Sequence, residues 1–233
     1  MAASGRERRS IRGIGNALIA LLVCQMLALM FEAVAVLMEM SLLQRIIDGS
    51  QVTLAEATAS DNRVALSVRL WLVLLVATIV VWLIWQHRAH ANLRALGTEL
   101  EYSPGWAVGF WLIPIANLWK PFQVNRELWK ASGDVNDWRS QRTWPVLGWW
   151  WASWISAGVL GRVAAAARES AETPMEIRSA DIVDLLSTAV VVASAVLAIL
   201  LVRSVIERQD RLAAAVPHVP TPPPPPPRPD ASA

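Results

Sequence analysis

The sequence predicts an all-α, polytopic membrane helix bundle with about four transmembrane helices and a proline-broken re-entrant or interfacial segment. Three observations predict it. Of the 233 residues, 55% are hydrophobic and 17% are charged, against roughly 25% charged in a soluble domain, and the mean hydropathy is +0.38. The apolar residues gather into runs near the ~20 residues a helix needs to cross ~30 Å of hydrocarbon. Thirteen tryptophans stand against one tyrosine and three phenylalanines. Tryptophan favours the membrane–water interface, where its ring is buried and its N–H stays wet.

Taken in order, residues 1–13 form a basic head carrying Arg6, Arg8, Arg9 and Arg12. The membrane domain is expected over 14–212, with a first span near 14–38. An Arg-rich start and Ala33-Val34-Ala35 imitate a secretory signal, but the apolar core runs beyond the 7–15 residues of such a signal. A second span is expected near 66–86, a third near 144–161 and a fourth near 182–202. Between the second and third, the 104–132 stretch behaves differently. Its apolar part, Trp106 to Trp119, is bracketed by Pro104 and Pro121 and interrupted by Pro114. At 1.5 Å per residue it reaches roughly 20 Å, too short to cross.

Charge patterning favours this arrangement, because lysine and arginine concentrate on the cytoplasmic side of short loops. If four helices span and the short segment does not, fifteen of the 21 Lys and Arg residues fall on one side. If the short segment also spans, the split is nine against twelve and the bias vanishes. Both termini are therefore expected to be cytoplasmic, in a bacterial cytoplasmic membrane. Residues 213–233 hold six consecutive prolines from Pro222 to Pro227 and read as a disordered, polyproline-II-like tail. A proline-binding cytoplasmic partner is the alternative to a plain spacer.

The most informative stretch runs from Trp85 to Ser132. The second helix is expected to continue past the membrane with Trp85, Arg88 and Asn92 on one face and to stop at Gly97. Ser103-Pro104-Gly105-Trp106 reads as a turn that caps a short helix. Phe122 to Ser132 reads as a surface helix with Phe122, Leu128 and Trp129 apolar and Gln123, Arg126, Glu127 and Lys130 polar. Trp85, Arg88, Asn92 and Leu93, then Ser103 to Gly109, then Pro114, Asn117, Leu118 and Pro121, then Arg126, Glu127 and Trp129 form a combined pattern. It resembles a bacterial multi-pass membrane family known as domain of unknown function 4328. The likeness covers roughly Trp85 to Trp154. It implies a multi-pass bacterial membrane protein and no particular activity.

Broken helices expose backbone groups and half-helix ends that can hold ions or small charged groups. Arg88, Asn92, Asn117, Arg126 and Glu127 are accordingly the candidate polar site. The competing reading is that these groups satisfy one another and the freed backbone. Glu32 lies inside the first span, and an intramembrane carboxylate is costly. Arg69 enters the second span at a similar depth, so an intramembrane ion pair of Glu32 with Arg69 is expected. Trp144, Trp149, Trp150, Trp151 and Trp154 read as an interfacial belt at the third span, with Trp150 and Trp154 stacked.

His87 and His90 are too few ligands for a metal centre. No nucleophile elbow, zincin, phosphate-loop or dinucleotide pattern occurs, and no basic block suits nucleic acid. No cofactor is expected. The expected function is a non-enzymatic membrane component that interacts with partners, the bilayer first and then a second copy or another membrane protein. The alternative is a small oligomeric transporter or ion-conducting protein using a polar site near Asn117.

Overall fold

The computed structural model describes residues 9–215. The proline-rich run, Arg6 and Arg8 lie outside the described residues. Six α-helices follow in order: α1 (Arg12–Ile47), α2 (Leu54–Ala95), α3 (Pro104–Gly109), α4 (Lys120–Ala131), α5 (Pro145–Glu169) and α6 (Pro174–Ala215), with a 3₁₀ turn at Ala116–Leu118. No strand occurs among the described residues.

Three helices, α1, α2 and α6, are long and apolar enough to cross a membrane. α5 is not among them; Arg162 together with its tryptophans and glycines lowers its hydropathy. Each long helix outruns the apolar stretch inside it, because polar residues with good helix propensity carry it onward into water. Residues 213–215 are therefore helical, the last turn of α6, rather than the start of the tail.

Local chemistry sets the element ends. Thr53 and Glu56 form a capping box at the start of α2, the Thr53 hydroxyl accepting from the Glu56 N–H and the Glu56 carboxylate accepting from the Thr53 N–H. Gly97 stops α2 at φ +82°, a left-handed conformation that glycine adopts without strain. Ser103 Oγ accepts the Trp106 N–H at 3.2 Å and opens α3. α3 ends at Gly109, and the chain passes through turns around Pro114, which has no N–H to give, before the 3₁₀ turn. No continuous helix links Pro104 to Leu118.

In the bundle, α1 lies against both α2 and α6, and α5 runs along α6. At one end Arg12 pairs with Asp210 at 2.7 Å, bringing the start of α1 to the end of α6. The end of α2 joins them there through Asn92 and Gln209, and α4 packs across this end with Trp129 stacked on Trp144. At the opposite end Arg45 pairs with Glu56 across the α1–α2 turn. Arg168 near the end of α5 meets Glu39 of α1 and Asp181 of α6. α5 thus runs from one end of the bundle to the other.

The buried core, including Leu18, Trp85, Leu93, Leu128, Leu147, Leu201 and Val205, gathers toward the end where the start of α1 meets the end of α6. Elsewhere large apolar side chains face outward. On α2 they run from Leu66 (57% exposed) to Ile84 (42%), a band of about 28 Å at helical rise, close to hydrocarbon thickness.

Candidate functional site

The end of the bundle that holds the start of α1 and the end of α6 also collects most of the nominated polar residues. α2 reaches it as a helix whose buried face carries Trp82, Trp85, Gln86, Ala89, His90, Asn92 and Leu93. Asn92 is 6% exposed. Its Oδ1 accepts the Arg9 N–H at 3.2 Å, and its Nδ2 donates to the Arg9 carbonyl at 2.8 Å and to Gln209 Oε1 at 3.3 Å. Gln209 in turn donates to the Ala89 carbonyl at 3.0 Å and to Ser132 Oγ at 3.3 Å. One amide pair therefore ties Arg9, three residues before α1, to α2, α6 and the residue that caps α4. Buried amides need such partners, since an orphaned one costs about 1–3 kcal/mol.

The five nominated residues are not one site. Arg88 is exposed, although Trp85 and Asn92 are buried. The three do not share a buried face, because Arg88 sits on the flank of the helix and turns to water. Arg126 is also exposed and lies over the Phe122 ring at 5.8 Å. Asn117 sits in the 3₁₀ turn, half-buried, with its Oδ1 enclosed and without a partner. Glu127 departs from the expected polar face of α4. It is 3% exposed; one carboxylate oxygen accepts the Glu101 N–H and Oε2 has no partner. Burial pushes this carboxyl up to about 7, against backbone N–H groups of Glu101 and Tyr102 that pull it down.

The broken tract is fastened by tryptophans. Trp111 donates to Gln86 Oε1 at 2.7 Å and sits edge-on to Trp82, Trp151 and Trp154. Trp151 donates to the Leu118 carbonyl at 3.1 Å. The expected Trp150–Trp154 stack is replaced: Trp150 stacks on Trp82 and Trp151 stacks on Trp154. The belt is thus partly internal, although Trp149 stays 69% exposed. Around the break, Leu112 (74% exposed) and Ile115 (71%) face outward with Trp106, Leu118 and Trp119.

The expected ion pair between Glu32 and Arg69 does not form. Arg69 is exposed, and the charged neighbour of half-buried Glu32 is Asp184 of α6. Arg168 takes the role instead, bonding Glu39 at 2.6 Å and Asp181 with its other terminal nitrogen. Helix rotation decides this, because α1 turns Glu32 and Glu39 toward α6 rather than α2. His87 faces outward, and His90 is buried with Nδ1 3.0 Å from the Gln86 carbonyl.

Two clefts that share Arg139 open at this end, the first beside the end of α2 and the second beside α4. One of about 480 Å³ is lined by Arg94, Thr98, Glu99 and Arg139. The other, of about 250 Å³, is lined by Glu101, Gln123, Arg126, Glu127, Lys130, Trp138 and Arg139. Gln86, Gln209, Trp138 and Arg139 escaped the sequence reading, since no local motif marks them and only the packing brings them together.

Residues 48–207 match the family described as Domain of unknown function (DUF4328). No curated protein matches the chain, and no solved structure does.

Proposed function

The chain belongs to the family of that domain of unknown function, and from this membership we propose that it is a non-enzymatic, multi-pass component of a bacterial cytoplasmic membrane. In this reading it acts by holding protein partners. Four helices cross, α5 being the fourth, and both chain ends face the cytoplasm. What supports a fourth crossing is that α5 reaches from Trp144 at the end with the chain ends to Arg168 at the other. The tract around Pro114 rests in the interface, where its outward Leu112, Ile113 and Ile115 meet lipid and its tryptophans hold it to α2 and α5.

The observation that carries the non-transporting reading is the fate of Asn92. Asn92, one of the two buried members of the nominated polar set, is consumed by bonds within the bundle rather than lining a passage. A second reading, a small oligomeric transporter, draws on the partnerless Oδ1 of Asn117 beside the break. The two separate in reconstituted vesicles. In the first, Asn117→Ala and Arg88→Ala change co-purifying partners or assembly size and leave solute flux at the level of empty vesicles. Flux that depends on Asn117 would establish the transporter instead.

Topology is tested on a Cys24→Ser background with single cysteines at exposed Ser50 and Ser140. An impermeant maleimide should reach Ser50→Cys in intact cells and Ser140→Cys only after lysis. Labelling of both from one face would end the four-crossing arrangement.

A further inference from the structure

We propose that the cleft between α4 and the loop before α5 binds a small water-soluble zwitterion, an ammonium group joined to a carboxylate or phosphate. The ammonium sits on Glu127, and the anion meets Arg126, Lys130 and Arg139. The inference stands whether the protein scaffolds or transports.

The first argument is the state of Glu127. Its side chain is almost wholly enclosed, one oxygen is taken by the Glu101 N–H, the Tyr102 N–H lies nearby, and Oε2 completes no hydrogen bond. A buried carboxylate oxygen without a donor is costly, and an ammonium group is the strongest donor it can accept. Glu101 lies on the same wall and adds to the attraction for a cation.

The second argument is the rim. Arg126, Lys130 and Arg139 line the same cleft, and none makes an ion pair with a carboxylate among the described residues. Arg139 lies over the ring of buried Trp138 at 4.6 Å, which holds the guanidinium at the cleft mouth. Acid on the wall and base on the rim, within a space of about 250 Å³, match a molecule with both charges a few atoms apart. A plain anion would leave Glu127 unanswered, and a plain amine would leave the rim so.

The third argument is position. Arg94 on the adjoining cleft lies about ten residues beyond Ile84, the last of the outward apolar band on α2. That is about 15 Å along the helix, past a headgroup layer of roughly 5–8 Å. The cleft therefore opens to water rather than to lipid headgroups.

The full-length protein in detergent micelles is titrated calorimetrically with glycine, L-serine and phosphoethanolamine. Ethanolamine and inorganic phosphate serve as half-probes. At least one zwitterion should bind ten-fold or more tightly than either half-probe. Arg139→Gln, an exposed position that leaves folding intact, should weaken that binding at least ten-fold, as should Lys130→Gln and, where it folds, Glu127→Gln. Absence of zwitterion binding at millimolar concentration would overturn the proposal. So would a half-probe binding equally well, or indifference to Arg139→Gln. Nanodiscs of phosphatidylethanolamine form a separate arm. Competition by that lipid, without binding of free phosphoethanolamine, would place a lipid headgroup in the cleft and defeat the soluble assignment.

Discussion

The side-chain amide of Asn92 donates to Gln209 Oε1 at 3.3 Å, joining the ends of α2 and α6 across 117 residues of sequence. Gln209 carries the connection to α4 through Ser132, and Asn92 carries it to the backbone of Arg9. Four parts of the chain depend on two amides.

Asn92→Ala strips this junction and takes the partner from Gln209 Oε1 and from the Arg9 backbone. The expected loss is about 2–3 kcal/mol, read as a lower unfolding temperature of the detergent-solubilised protein. Arg88→Ala, one turn away and exposed, should stay within about 0.5 kcal/mol. Equal effects of the two substitutions would refute the clamp.

Arg168→Met leaves Glu39 and Asp181 facing each other with their cation gone. Breaking such a pair costs about 3 kcal/mol. Adding Glu39→Gln and Asp181→Asn should restore most of it, since the bare charges and not the lost contacts carry the cost. A triple variant no more stable than Arg168→Met would contradict this account.

At Gly15 α1 lies close against α6 and α2. A Cβ there would clash with Ile206 Cδ1 and stand 3.4 Å from Trp85 Nε1. Gly15→Leu should cost about 1–3 kcal/mol through overpacking, and Ile206→Ala in the same chain should recover part of it. Gly13→Leu, with open space around the site, is the control and should change little.

Glu127 makes stability depend on pH. Its folded value of about 7 lies above the ordinary 4.5 because burial disfavours the charged form. The folded state therefore binds this proton more tightly than the unfolded one. Its contribution is fully present below about pH 4.5 and is lost as pH rises through about 7. Glu127→Gln should remove this slope, so the difference in unfolding temperature between parent and variant should shift in the variant's favour between pH 5 and pH 8, by a few degrees. A parallel pair of pH profiles would count against the buried carboxyl.

Much of the architecture was legible in the residues. Four apolar stretches foretold four of the helices. Gly97, Ser103 and Pro114 foretold a stop, a cap and a break, and each appears where it was expected. Such signals act within a few residues, through backbone conformation and missing donors, and need no knowledge of neighbours. Helix lengths were less legible, because hydropathy measures the part of a helix that suits lipid and not its wet extension.

The candidate site was legible only in part. Arg88 turned outward, Glu127 turned inward, and Glu32 and Arg69 failed to meet. One residue along a helix is 100° of rotation, so a small error in phase exchanges lipid, water and core for a given side chain.

By itself the sequence determined which segments are helical, where they are interrupted, and membership of a family described only as a domain of unknown function. The tertiary structure decided the partners: Arg168 rather than Arg69 for the buried acids, Trp82 rather than Trp154 for Trp150, and Gln209 for Asn92. Helix formation is governed by neighbours along the chain. Pairing across helices depends on their order and rotation, which the packing of the whole bundle sets together.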